Sequence, residues 1–282
     1  MFASKTPFYA EDVTRIVFSD LDGTLLEHDT YSCDSAMPAI LALREQNIPL
    51  VLCSSKTRAE MESWREKMGN PHPFIVENGG AIYVPRGYFP FLPAQSLPRG
   101  DYDVIEFGAP YLEIVEALRI ASEESACQVI GFHQMSVVDV CLRTSLSVRH
   151  AELAKQREYD EPFEIIGSGR SELLAAIERS GKHWARGSRL YHITAQHSKA
   201  TAVRRLTALY AQAYRGVTTI GLGDSANDTD FLNSTDEPII IQSRFAATLA
   251  RLVPNAPVTR LPGPSGWNEA IQESIAELAL MD

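Results

Sequence analysis

Val13-Thr14-Arg15-Ile16-Val17-Phe18-Ser19-Asp20-Leu21-Asp22-Gly23-Thr24 is the stretch that decides the fold class. A β-branched, apolar run ends at acidic residues and a glycine, the pattern of a buried strand entering a turn, so Asp20 stands at the strand's carboxyl end. The same order recurs along the chain. Ile48 to Cys53 reads as a second buried strand, followed by Ser54-Ser55 and a helix from about Thr57 to Met68. Between these strands, Asp34 and Ser35 can cap a helix over about 35–46, with Pro38 tolerated in its first turn. Phe74 to Val76 is a third strand, Glu77-Asn78-Gly79-Gly80 a sharp turn, and Ala81 to Val84 the start of another strand. The alternation returns late in the chain. A helix from Ser198 to Tyr214 precedes the strand Val217 to Leu222, the turn Gly223 to Asp228, a short helix, the strand Pro238 to Ile241 and terminal helices. Such alternation predicts an α/β fold with a Rossmann-like parallel-sheet core covered by helices.

The texture changes at Pro85. Five prolines (Pro85, Pro90, Pro93, Pro98, Pro110) and three glycines (Gly87, Gly100, Gly108) mark the entry to an inserted domain. Beyond them the pattern predicts a helix over about 111–127, a strand near Phe163 to Gly167, a helix over about 171–180 and a strand near Leu190 to Thr194. These elements predict an α+β cap. The expected division is 1–84 for the first part of the core, 85–190 for the cap and 191–282 for the rest of the core, in keeping with a length of 282 residues.

Composition narrows the function classes. A formal net charge of −10 argues against a nucleic-acid partner, which requires a broad basic surface. The longest apolar runs fall far short of the roughly 20 residues that span a bilayer, so no membrane segment is expected. Met1 to Asp12 has no apolar run of the secretory kind, and Cys33, Cys53, Cys127 and Cys141 lack metal-type spacing. A cytoplasmic protein with free thiols is the expectation.

Asp20 and Asp22 are separated by one residue at a strand's end, and like charges that close need something positive to offset them. Gly221-Leu222-Gly223-Asp224-Ser225-Ala226-Asn227-Asp228 places two more acids after another apolar strand. Loops at the carboxyl ends of parallel strands gather on one side, so Asp20, Asp22, Asp224 and Asp228 can converge there. Magnesium, which prefers oxygen ligands, suits such a set. One acidic turn is commonly only solvated, but two directly after apolar strands are poorly explained that way. Ser54, at a helix start, can cradle a phosphate, and Lys199 can neutralise charge on a transferring group.

Taken in order, these residues resemble the four motifs of the haloacid dehalogenase superfamily. The resemblance implies that Asp20 is a nucleophile and Asp22 a general acid/base reaching the metal through its backbone carbonyl. It also implies that Ser54 and Lys199 bind the phosphoryl group and that Asp224 completes a magnesium site. In the insert, Gly131-Phe132-His133-Gln134-Met135-Ser136 and Ala154-Lys155-Gln156-Arg157-Glu158-Tyr159-Asp160-Glu161-Pro162-Phe163 resemble the cap signature of mannosyl-3-phosphoglycerate phosphatases, with Gln134 where that pattern has an acid. Ser54-Ser55-Lys56-Thr57-Arg58 and Glu77-Asn78-Gly79-Gly80 are similar to the same family. A small phosphorylated sugar-glycerate is the implied substrate, with Ser55, Lys56, Asn78, Gly79, Arg170 and Asn227 as further candidate contacts. Read without the resemblance, the run over 154–163 is a charged, solvated helix with a proline stop. Alternatives on the same fold are a glucosyl-3-phosphoglycerate or broader sugar-phosphate phosphatase, a sugar phosphomutase, and a silent sugar-phosphate-binding protein.

Overall fold

The computed structural model describes residues 14–187 and 189–279. Val13, the first residue of the expected opening strand, and the expected leaderless segment Met1 to Asp12 lie outside them. A nine-stranded sheet forms the larger layer. In chain order its strands are β1 (Thr14–Ser19), β2 (Leu50–Cys53), β3 (Phe74–Val76), β4 (Ala81–Pro85), β5 (Leu97–Arg99) and β6 (Tyr102–Glu106), and after the insert β11 (Val217–Gly223), β12 (Glu237–Gln242) and β13 (Val258–Pro262). Across the sheet they run β13-β12-β11-β1-β2-β3-β4-β6-β5. From β13 to β3 the pairing is parallel, and β4, β5 and β6 add an antiparallel edge.

The strands are apolar on both faces because helices cover both. Val17 belongs to one core and its neighbours Ile16 and Phe18 to the other. Leu50 and Leu52 alternate in the same way with Val51 and Cys53. Helices α1 (Met37–Glu45), α2 (Arg58–Met68) and α10 (Gly263–Ala279) contribute Ile40, Leu43, Met61, Trp64 and Trp267 to the first core. On the opposite face α7 (Lys199–Ala213), α8 (Thr229–Leu232) and α9 (Ala246–Leu252) contribute Val203, Leu206, Tyr210, Phe231 and Leu249. Thr57 begins α2 with a capping box: its hydroxyl accepts from Glu60 N, and the Glu60 carboxylate accepts from Thr57 N at 3.0 Å.

The cap is built on β7 (Gln128–Gly131), β8 (Asp160–Ile166), β9 (His183–Arg186) and β10 (Tyr191–Thr194), in the antiparallel order β7-β8-β10-β9. Helices α3 (Tyr111–Ser125) and α6 (Arg170–Arg179) pack on one face through Ile114, Leu118, Leu173 and Ile177. Two short helices, α4 (Val137–Thr144) and α5 (Val148–Ala154), carry a smaller cluster around Phe132, Met135 and Val140. Sheet membership differs from the expected limits of 84/85 and 190/191. Residues 97–106 extend the large sheet, whereas Tyr191–Thr194 lies in the small one. We therefore propose that the cap begins after Glu106 and ends after Thr194. The proline-rich stretch is an edge hairpin of the core.

The run over 154–163 is not a solvated helix. Asp160, Glu161 and Pro162 are buried in β8, and Arg157 is buried just before it. Its charges are satisfied internally. Glu77, with no exposed surface, accepts backbone N–H bonds from Glu158 (2.9 Å), Tyr159 (2.8 Å) and Asp160 (2.8 Å). Arg157 lies 3.5 Å from Glu77 and 3.2 Å from Asp160, and donates to Ser55 O at 3.0 Å. This buried network ties the cap to the core.

Candidate active site

β1 lies between β11 and β2, with Ser19 in register with both Leu222 and Leu52. The carboxyl ends of three adjacent strands therefore present Asp20, Ser54 and Asp224 on one edge. Asp20 N donates to Leu222 O, and Trp267 Nε1 donates to Ser19 Oγ, which fixes the end of β1. Gly23, with φ of +81°, lets the chain turn back under Asp224; a Cβ there would stand 2.7 Å from Asp224 Oδ2.

Lys199 is the hub of the site. As the first residue of α7, after the cap residue Ser198, it reaches Asp20 Oδ1 at 2.5 Å and Asp228 Oδ1 at 2.7 Å. Burial alone would push the ammonium's pKa down, but the two carboxylates outweigh it and hold it above the ordinary lysine range. Asp228 Oδ2 accepts from the backbone N–H groups of Asp224 (3.2 Å) and Ser225 (3.1 Å). Both Asp228 oxygens are thus engaged in holding Lys199 and the loop.

Oxygens of Asp20, Asp224 and Asp228 lie within 4.8 Å of one another, all buried. Asp20 is pushed up to about 7, first by burial and then, against Lys199, by Asp228 and Asp22. Asp224 is pushed up to about 8 by burial and by the neighbouring Asp228 and Asp20. Buried carboxylates crowded this way, with only oxygen donors, fit a hard divalent cation, which would relieve the repulsion. Asp22 stands apart from this trio: its Oδ1 lies 2.8 Å from Lys56 Nζ. Lys56 is in turn 3.8 Å from Glu60 and 5.0 Å over the Tyr31 ring.

A cleft of about 810 Å³, measured to its open mouth, lies between these loops and the cap. From the core it is lined by Asp20, Asp22, Ser55, Lys56 and Asn227, and from the cap by Phe132, Arg157, Arg189 and His192 among others. Ser54 is buried, with its Oγ accepting from Lys56 N. Asn78, Gly79 and Arg170 are not among the lining residues. Asn78 Nδ2 donates to Asp160 at 2.6 Å. Gly79 allows the turn to rest on the start of α7, since a Cβ there would stand 2.2 Å from Ser198 O. Arg170 lines a neighbouring depression in the cap with Gly169 and Arg186, and Arg189, paired with exposed Asp29, borders both it and the cleft. Gln134 closes a local turn, accepting from Gly131 N at 3.1 Å.

Arg189, His192 and Tyr31 were not singled out from sequence. His192 did carry a signal, because in Tyr191-His192-Ile193 it occupies the polar phase of a strand's alternation. Arg189 carried none.

Residues 17–90 match the model of the haloacid dehalogenase-like hydrolase family. A Methanococcoides burtonii protein named glucosyl-3-phosphoglycerate/mannosyl-3-phosphoglycerate phosphatase is 39% identical over 270 residues, covering 93% of this chain and 98% of its own length. A Pyrococcus furiosus protein named mannosyl-3-phosphoglycerate phosphatase is 35% identical, covering 80% of this chain and 90% of its own. The chain belongs to the mannosyl-3-phosphoglycerate phosphatase family. The fold agrees with solved structures: a sugar phosphatase of haloacid dehalogenase subclass IIB gives a TM-score of 0.65 at 17% identity, covering 93% of this chain and all of its own. A Bacteroides thetaiotaomicron phosphatase of the same superfamily gives 0.66 at 15%, covering 93% and 96%. As a family member, the chain is a phosphoric monoester hydrolase with a cap over a parallel-sheet core. Among the described residues no helix is long and apolar enough to cross a membrane.

Proposed function

We propose that this chain hydrolyses mannosyl-3-phosphoglycerate to mannosylglycerate and phosphate, using Asp20 as a covalent nucleophile and Mg²⁺ as cofactor. The observation that carries the reading is Lys199, bridging Asp20 and Asp228 with Asp224 alongside, where Asp20 lines a cleft between core and cap.

In the first half-reaction an Asp20 carboxylate oxygen attacks phosphorus, the bond from phosphorus to the glycerate oxygen breaks, and Asp22 delivers a proton to that oxygen. In the second, Asp22 as carboxylate takes a proton from water, whose oxygen attacks the phosphorus and releases phosphate and free Asp20. Lys199 and Ser54 hold the phosphoryl oxygens, and Ser55 and Asn227 stand at the cleft's floor. Asp20, Asp224 and the Asp22 backbone carbonyl would hold Mg²⁺, whose charge offsets that of the phosphoryl group. Asp228 acts on the metal site by positioning Lys199 and the Asp224 backbone. Lys56 and Arg189 supply positive potential for the glycerate carboxylate, which a chain of net charge −10 must provide locally. Cap and core together keep bulk solvent out while admitting the one water that Asp22 activates.

A second reading, hydrolysis of glucosyl-3-phosphoglycerate as well, is favoured by relatives named for both sugars, including a Persephonella marina protein 35% identical over 266 residues. Phosphate release from the mannosyl ester, the glucosyl ester and a hexose phosphate, each with Mg²⁺, tests both readings. Strong preference for the two glycerate esters is expected. Equal rates on all three would remove the named substrate, and no release would favour a mutase or a silent binder.

A further inference from the structure

We infer that His192 is a specificity-determining residue whose Nε2 receives a hydroxyl group of the hexosyl moiety. This rests on the reading of the chain as a hexosyl-3-phosphoglycerate phosphatase and assigns the cap wall that recognises the neutral end of that substrate.

His192 lies on β10, in register with Pro162 of β8, and lines the cleft with only 9% of its surface exposed. Its Nδ1 stands 2.9 Å from Asp160 Oδ1 and 3.0 Å from Oδ2. Asp160 is fully buried and is itself held by Asn78 (2.6 Å) and Arg157 (3.2 Å). Burial works to raise the Asp160 carboxyl, but His192 and Arg157 outweigh it and hold the group below its ordinary range. A carboxylate can only accept, so Nδ1 carries a hydrogen toward Asp160 and Nε2 is the ring nitrogen left open to a ligand. Among the described residues Nε2 has no hydrogen-bond partner. Gly187 keeps that edge of the ring open: a Cβ there would stand 3.1 Å from Nε2.

The surroundings select the ligand's chemistry. Phe132, Leu146, Pro162 and Leu190 line the same wall, an apolar surface for the C–H face of a pyranose. A ring nitrogen set in that apolar wall suits a hydroxyl, which can either donate to it or accept from it. Lys56 and Arg189, the cations suited to phosphate or carboxylate, are paired with Asp22 and Asp29. The buried chain from Arg157 and Asn78 through Asp160 to His192 therefore acts as a pre-set holder for one hydroxyl.

The test compares phosphate release from mannosyl-3-phosphoglycerate and from p-nitrophenyl phosphate in the wild type, His192→Asn, His192→Gln and Gly187→Ala. Asparagine offers an N–H near Nδ1 for Asp160 but no atom at Nε2, whereas glutamine reaches the Nε2 position. The ratio of kcat/KM for the ester to that for the aryl phosphate is expected to fall about 10-fold in His192→Asn, mainly through KM. Glutamine should recover part of it, and Gly187→Ala, which crowds Nε2 with His192 intact, should lower it too. A ratio unchanged in His192→Asn, or both substrates lost in equal proportion, would overturn the assignment while leaving the phosphatase reading in place. A wild type that cleaves the aryl phosphate but not the ester would instead overturn the functional reading, and the sugar-binding role of His192 with it.

Discussion

Asn78→Asp separates a structural role for this turn from a substrate-binding one. The wild-type amide donates to buried Asp160 at 2.6 Å, so aspartate would set a second carboxylate against the first in nearly the same volume. Two unit charges about 4 Å apart repel by ~4 kcal/mol at an effective dielectric constant of about 20, and the lost charge-assisted hydrogen bond adds about 1.5–3 kcal/mol. The new carboxyl has a cheaper course: it can keep a proton and donate it to Asp160 as the amide did. Holding a proton at pH 7 on a group whose unfolded pKa is about 3.9 costs about 4 kcal/mol, at roughly 1.4 kcal/mol per pH unit. The folded variant then binds more protons than the unfolded one, so its deficit grows as pH rises above that unfolded value. Urea denaturation should show a loss of about 4 kcal/mol at pH 7, shrinking to about 1.5 kcal/mol at pH 5. A variant within about 1 kcal/mol of the wild type at pH 7, or a deficit equal at both pH values, would rule out a proton held between the two buried carboxyls. A raised KM with no stability loss would return Asn78 to the substrate.

Other outcomes follow from the same geometry. His72 is pushed down to about 4 by burial and by Arg65, so the unfolded state binds more protons between that value and about 6.5. Its contribution of about 3 kcal/mol is lost as pH falls through this window, and His72→Gln should flatten the acid limb of the stability curve measured by urea titration. Mg²⁺ at about 100 times its dissociation constant should stabilise the wild type by about 2.7 kcal/mol in thermal melts, with EDTA reversing it. Asp224→Asn should lose most of that response. Gly23→Ala forces a side chain to within 2.7 Å of Asp224 at positive φ, and kcat should fall at least about 100-fold, more than folded yield falls.

What sequence could reveal here depended on the range of the interactions. β1, β3 and α2 were legible because a continuous apolar run, or a cap residue such as Thr57, acts within a few positions. The acidic loops were legible because each directly follows such a run. β5 and β6 were hidden by their prolines and glycines; β5 is an exposed edge strand with little apolar pattern to read. α4, Val137-Val138-Asp139-Val140, carries residues that favour strands, and its helix is set by the Ser136–Asp139 capping box. Asn78, Gly79 and Arg170 suggest ligand contacts because polar residues beside glycines suit a phosphate; what the chain alone does not reveal is that Asn78 and Gly79 also meet Asp160 and Ser198, about a hundred residues away. The charges of Arg157, Asp160 and Glu161 looked solvated for the same reason: the groups that satisfy them, Glu77, His192 and Tyr111, are remote in sequence.

In the proposed reaction Asp20 carries the phosphoryl group between ester and water. Acid quench of wild-type enzyme turning over mannosyl-3-phosphoglycerate with Mg²⁺, followed by peptide mass spectrometry, tests it most directly. One phosphoryl group is expected on the peptide containing Asp20, and neither that adduct nor phosphate release in Asp20→Asn. Phosphate release that persists in Asp20→Asn, or a phosphoryl group found on another residue, would contradict it.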